Sequence, residues 1–137
     1  MVRIRYAERE DAPFWFGLDR HIAPEEFYKK AAARRAYILE AEGRPAGLLR
    51  YNLFWDNTPF CTMLYIAPAC QRKGYGGLLM ERWEADMRAA GYRLAMTSTR
   101  SDESAQHFYR KRGYQDAGGL LLPACQPMEL FFAKEIG

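Results

Sequence analysis

Long apolar runs, a cysteine framework and a large excess of one charge are all missing from these 137 residues, and each absence removes a class of function. No apolar run approaches the roughly 20 residues needed to span a bilayer. The first residues, Met1-Val2-Arg3-Ile4-Arg5-Tyr6, lack the apolar core of a signal peptide. The expectation is therefore a cytoplasmic protein with no membrane partner. Three cysteines, Cys61, Cys70 and Cys125, are odd in number and show no Cys-x-x-Cys spacing. Thiols in a reducing compartment fit that pattern better than a disulfide framework or a zinc site, and no metal is expected. Twenty basic residues against seventeen acidic ones leave only +3, without the basic stripe that nucleic acid calls for. A local pocket for an anion stays compatible with that balance.

What is present is the material for one packed domain. Hydrophobic residues make up 49% and aromatics 15%, which suffices for a core without staples, and residues 1–137 read as a single domain. Val2, Ile4 and Tyr6 alternate with Arg3 and Arg5, the period of a half-exposed strand. Phe14, Trp15 and Leu18 sit at helical spacing, and Pro24 opens a second helix where its missing amide costs nothing. Strands are predicted over 36–39, 46–54 and 60–66, with turn signals at Glu42-Gly43-Arg44-Pro45 and Asp56-Asn57-Thr58-Pro59. A helix over 74–90 carries the stripe Tyr75, Leu79, Trp83, Met87, Ala90, with Arg82, Glu84, Asp86 and Arg88 as surface. A strand over 93–99, a short helix over 102–112 and strands over 114–122 and 128–134 complete a mixed α/β chain.

The segment Gln71-Arg72-Lys73-Gly74-Tyr75-Gly76-Gly77 follows the apolar strand end Leu64-Tyr65-Ile66-Ala67 and precedes a helix. Backbone amides in such a turn, with those of the first helical turn, converge on an anion and are supported by the helix dipole. Gly74 and Gly76 have no β-carbon, so phosphate oxygens can approach the backbone. Arg72 and Lys73 add positive charge. The turn lacks the Gly-Lys-Ser/Thr of a Walker loop and the spacing of a dinucleotide fingerprint. Alone, it balances evenly between a phosphate site and a structural turn.

A second block breaks the balance. Gln71-x-x-Gly74-x-Gly76 resembles the acyl-CoA signature of the GNAT superfamily of N-acetyltransferases, and 102–114, from Asp102 through Ala105, Phe108 and Tyr109 to Gly113-Tyr114, resembles that superfamily's later helix. Both blocks stand in the family's order, and the likeness spans nearly the whole chain. It implies a central mixed, mostly antiparallel sheet of six to seven strands flanked by about four helices, with a splayed parallel pair in the middle. It also implies acetyl-CoA as co-substrate. Gln71, Arg72, Lys73, Gly74, Tyr75, Gly76 and Gly77 would hold the pyrophosphate; Leu64, Tyr65 and Ile66 would line the pantetheine arm; Asp102 and Ala105 would flank it. Asp102 stands where the family usually has Asn, so an amide contact to the arm is altered. Tyr109 matches the family tyrosine that donates a proton to the departing thiolate.

The implied reaction is direct attack of a neutral amine on the thioester, with one proton leaving the amine and one reaching sulfur. For the base, Asp56, Glu40, His21 and a water relay are alternatives; Asp56-Asn57 reads better as a turn, and His107 as exposed. The acceptor, a small-molecule or peptide amine, would meet aromatics drawn from Phe14, Trp15, His21, Phe27, Tyr51, Phe54 and Trp55, although most of these also read as core. Met96, Met128, Phe131 and Phe132 read as core by pattern. A homodimer is a family-level expectation. A second function with the same fold is a CoA- or acyl-CoA-binding module without turnover, against which Tyr109 argues; a nucleic-acid role has little support.

Overall fold

The computed structural model describes residues 1–137, excepting the side chains of Cys125 and Gln126, so the thiol expected at Cys125 lies outside the described residues. The described residues form β1 (Val2–Tyr6), α1 (Ala12–Leu18), α2 (Pro24–Ala32), β2 (Ala36–Ala41), β3 (Arg44–Phe54), β4 (Thr58–Ile66), α3 (Tyr75–Ala89), β5 (Leu94–Arg100), α4 (Ala105–Lys111), β6 (Gln115–Leu122) and β7 (Cys125–Glu135). The strands make one mixed sheet in the order β1-β2-β3-β4-β5-β7-β6. β1 and β2 pair antiparallel, as do β2 and β3. β5 and β7 pair antiparallel over the full length of β5, whereas β4 and β5 run parallel, registered at Phe60↔Met96 and Cys61↔Thr97. The mixed sheet with a parallel central pair is the architecture that the resemblance implies.

Two compact units are distinguishable: Met1–Asn52 with Thr62–Trp83, and Leu53–Cys61 with Glu84–Gly137. In the first, Trp15, Phe27, Ala36, Ile38, Leu48 and Ala7 form one buried cluster. Trp15 and Phe27 lie 4.8 Å apart between ring centroids, a contact that adds to the area they remove from water. Beside them Asp19, almost fully buried, accepts from Trp15 Nε1 at 3.0 Å and from Arg50 Nε at 2.7 Å. A buried carboxylate needs such partners, and here they tie the end of α1 to β3. Its other oxygen accepts from the His21 amide at 3.1 Å, which orders the chain leading into α2.

In the second unit Ala95, Thr97, Tyr109, Tyr114 and Phe132 are buried. The sequence stripe on α3 is largely observed, with Leu79, Trp83 and Met87 buried and Met80 added to them. Ala90 is exposed beyond the helix end. Glu84 corrects the amphipathic reading: it is 4% exposed and accepts from Tyr114 Oη at 2.7 Å and Lys134 Nζ at 2.9 Å. Helical periodicity assigns a face, but only the partners from distant strands allow a carboxylate to be buried on it. α4 is shorter than the block that predicts it, since residues 101–104 form a turn before Ala105.

Candidate functional site

The turn after β4 has the geometry of an anion cradle. A short 3-10 turn over Pro68–Cys70 follows the strand, and Gln71 then folds back so that its Nε2 donates to the Ile66 carbonyl at 3.0 Å. Arg72 and Gly74 both adopt left-handed backbone, with φ of 65° and 81°. For glycine this is easy; for arginine it is uncommon and has to be held by its surroundings. A β-carbon on Gly74 would find nothing within 4 Å, so the space beside this backbone is open. The first helical bond of α3 runs from the Leu78 amide to the Gly74 carbonyl at 3.2 Å. The amides of Tyr75 and Gly76 therefore precede the helical ladder and stand at the positive end of a 15-residue helix. Gln71, Arg72, Lys73 and Gly74 are exposed, Tyr75 and Gly76 half-buried, and Gly77 buried.

Leu64, Tyr65 and Ile66 end β4 in the same unit. Sequence reasoning missed Gly47 on β3, where a β-carbon would lie 2.5 Å from Ile66 Cδ1 and 3.3 Å from the Tyr65 carbonyl oxygen. Gly47 thus lets β3 approach the end of β4, and with it the entrance to the turn. An isolated glycine inside a strand pattern is the available signal for such an approach.

The other unit presents Tyr109. The side chain is 6% exposed and packs against Tyr114 and Phe132, with ring centroids 5.8 and 6.0 Å away. Burial, followed by proximity to Cys61, pushes its phenol far above the ordinary tyrosine range, while a hydrogen bond with Thr97 acts weakly the other way. Thr97 itself donates to the Cys61 carbonyl at 3.0 Å, so the tyrosine stands against the registered part of the parallel β4–β5 pair. It is protonated throughout the neutral range, and its burial makes the proton harder to lose than that of an exposed tyrosine.

The turn before α4 is braced by carboxylates. Asp102 accepts from Arg100 at 3.0 Å, and Glu103 accepts from the Arg100 amide and the Thr99 hydroxyl at 3.1 and 3.2 Å. Where the family motif has an Asn, this chain has an ion pair with a neighbouring arginine. Ala105 begins the helix half-buried.

The structure sorts the candidate bases. Glu40 is taken by Arg5 at 2.8 Å, with Arg3 at 3.8 Å. Asp56 occupies the hairpin turn as expected, with φ of 64°. His21 and His107 are exposed. Of the expected acceptor aromatics, Trp15 and Phe27 are fully buried core, and Tyr51 is buried with its ring 5.9 Å from Trp83. Phe54 and Trp55 are accessible at the β3–β4 hairpin. Phe132 is core as its pattern predicts, but Met96, Met128 and Phe131 are only half-buried. Cys61 and Cys70 are reduced thiols, the first buried and the second half-buried. Among the described residues, no helix is long and apolar enough to cross a membrane.

Many solved structures share this architecture. An acetyltransferase of the GNAT family from Bacillus cereus superposes with a TM-score of 0.81 at 20% identity, over 98% of this chain and 97% of its own. An N-acetyltransferase from Staphylococcus aureus gives 0.83 at 18% identity, covering 100% and 99%. The PaiA N-acetyltransferase from Thermoplasma acidophilum, in complex with coenzyme A, gives 0.78 at 15% identity, covering 98% and 99%. At these identities the likeness establishes the fold. No curated protein sequence matches the chain. The model of the acetyltransferase (GNAT) family, however, matches residues 2–114, which contain both the glycine turn and the tyrosine block. This chain belongs to the GNAT acetyltransferase family.

Proposed function

We propose that this acetyltransferase, acting as one domain over residues 1–137, moves an acetyl group from acetyl-CoA to a primary amine by direct attack on the thioester. The observation that carries the reading is the placement of Tyr109, whose ring is buried against Phe132 beside Thr97 at the registered part of the parallel strand pair. Acetyl-CoA supplies the acetyl group already activated as a thioester. The turn from Gln71 to Gly77 fits its pyrophosphate: left-handed Gly74 opens space, the Tyr75 and Gly76 amides precede the helical ladder, and Arg72 and Lys73 bring charge. The solved relative that holds coenzyme A agrees with that use of the fold.

Leu64, Tyr65 and Ile66 supply main-chain groups for the amide-rich arm, and an amide among them polarises the thioester carbonyl oxygen as charge develops there. Asp102 and Ala105 flank the arm from the turn and start of α4. The amine nitrogen attacks the carbonyl carbon; the carbon–nitrogen bond forms and the carbon–sulfur bond breaks. The proton lost by the amine passes to water, Tyr109 protonates the departing sulfur, and solvent restores the phenol. A cytoplasmic location and a homodimer complete the proposal; the cysteine pattern and the family resemblance support them respectively.

Calorimetry with acetyl-CoA, followed by measurement of thiol release over a panel of amines, tests the reading. Binding with amine-dependent thiol release is expected. Absence of acetyl-CoA binding would end the proposal, and binding without release for any amine would make the chain an acyl-CoA-binding module.

A further inference from the structure

β5 presents two unlike faces. Ala95, Thr97 and Thr99 are buried on the side that meets Tyr109, whereas Met96 and Ser98 are half-exposed on the other. Ser98 is registered with Phe131 on β7, and Phe60 on β4 with Met96, so Phe60, Met96, Ser98 and Phe131 share that second face. Glu129, two residues before Phe131, joins them, and Ser98 Oγ donates to its Oε2 at 2.7 Å. An aromatic row runs along the same surface: Phe131 to Phe60 at 5.7 Å, Phe60 stacked on Phe54 at 5.8 Å, and Phe54 to Trp55 at 4.7 Å between centroids. Trp55 ends the row 79% exposed, in a left-handed conformation (φ of 56°) unfavourable for a bulky side chain.

The partner of Glu129 differs from those of the buried carboxylates Asp19 and Glu84. Asp19, Glu84 and Asp116 are each held by an arginine or lysine. Glu129 is a half-buried carboxylate fastened by a hydroxyl, and among the described residues no basic side chain forms an ion pair with it, its cross-strand neighbour Arg100 reaching Asp102 at 3.0 Å instead. Phe60 is buried beneath this row, while Phe131 and Phe54 are half-buried and Trp55 exposed; a carboxylate without an ion-pair partner beside such rings complements a cation that carries an apolar body.

We propose that this face docks the acceptor, and that the acceptor is an ammonium compound with an aromatic or aliphatic body, its cation drawn to Glu129 and its body lying on Phe131 and Phe54. The proposal rests on the acetyltransferase reading above and assigns its acceptor class. It brings the amine to the registered β4–β5 pair from the face opposite Tyr109, leaving the tyrosine side for the departing sulfur; the bound ammonium first gives one proton to water, so that the neutral nitrogen attacks. An amine whose body is itself anionic, such as an acidic amino acid, is excluded by the same carboxylate.

Titrations followed by protein NMR, using 2-phenylethylammonium, 2-phenylethanol and phenylacetate as probes, test it. The wild type should bind the cation about three- to tenfold more tightly than the anion. Glu129→Gln, which keeps the bond to Ser98, should remove that preference while leaving 2-phenylethanol affinity unchanged, and Phe131→Ala should weaken all three. In turnover, Glu129→Gln should raise the acceptor KM more than it lowers kcat. Failure of the wild type to bind or prefer the cation, or an intact preference in Glu129→Gln, would overturn the assignment. Acetyl-CoA binding and thiol release, measured on the same preparation, separate the two failures: intact release with an intact preference in Glu129→Gln rejects only the acceptor assignment, whereas loss of acetyl-CoA binding in the wild type rejects the enzyme reading itself.

Discussion

Replacing Tyr109 by Phe removes a single oxygen from a packed interior and isolates the chemistry assigned to it. The ring keeps its contacts with Tyr114 and Phe132, so no cavity of consequence opens. What is lost in the fold is a hydrogen bond with Thr97, and Thr97 still donates to the Cys61 carbonyl at 3.0 Å. The stability cost should therefore be about 0.5–1.5 kcal/mol, a shift of about 2–5 °C in Tm for a chain of this size. The catalytic cost should be far larger. Without an acid the sulfur must leave as thiolate or await a proton from water, and general acids contribute about 10²–10⁴-fold. That factor corresponds to about 3–5 kcal/mol of transition-state stabilisation, well beyond the stability term. Initial rates of thiol release should fall by that factor, while calorimetric affinity for acetyl-CoA stays within about twofold, since the tyrosine serves only the departing group. A folded Tyr109→Phe protein that turns over at the wild-type rate would refute the acid role, and a parallel loss of acetyl-CoA affinity would make Tyr109 a binding residue instead.

Gly76→Asp should weaken coenzyme A binding by tenfold or more, about 1.4 kcal/mol or above, by setting a carboxylate and a side chain beside phosphate; unaltered calorimetric affinity in the folded variant would remove the cradle. Glu84→Leu leaves the Tyr114 hydroxyl and the Lys134 ammonium without their acceptor and should cost about 2–4 kcal/mol in denaturant unfolding, whereas a loss under about 0.5 kcal/mol would show that water replaces the carboxylate readily. The phenols of Tyr109 and Tyr114 are both held above their ordinary value of 10.0, chiefly by burial, and for Tyr114 also by the charge of Glu84. Their folded pKa is raised, so the folded state keeps protons that the unfolded chain releases; stability is fully present below pH 10 and is lost as pH rises above it. Tyr114→Phe should flatten that alkaline limb in thermal melts, and an unchanged slope would assign the limb elsewhere.

The turn proposed for the donor was readable as a turn because its residues are contiguous. A glycine turn between an apolar strand and a helix needs no distant partner to present amides, and the left-handed conformations of Arg72 and Gly74 confirm a turn that residue order already implied. The position of Tyr109 was readable through its block, although its raised pKa was not, because burial, followed by proximity to Cys61, sets it. Gly47 was passed over because its role depends on β3 meeting the end of β4. Trp15 and Phe27 are core, as most of the aromatics read, while Phe131, expected in the core, is half-exposed, because an aromatic pattern on a strand does not say which face of a sheet is covered.

Local order therefore determined the element sequence, the glycine turn before α3 and the position of Tyr109, since each rests on backbone geometry and spacing within a few residues. Tertiary structure decided which polar groups are buried and with whom. Glu84 is enclosed with Tyr114 and Lys134, Asp19 with Trp15 and Arg50, and Glu129 accepts from Ser98. The energy of a charge depends on partners and solvent brought to it from elsewhere in the chain, and no spacing along the sequence contains that information.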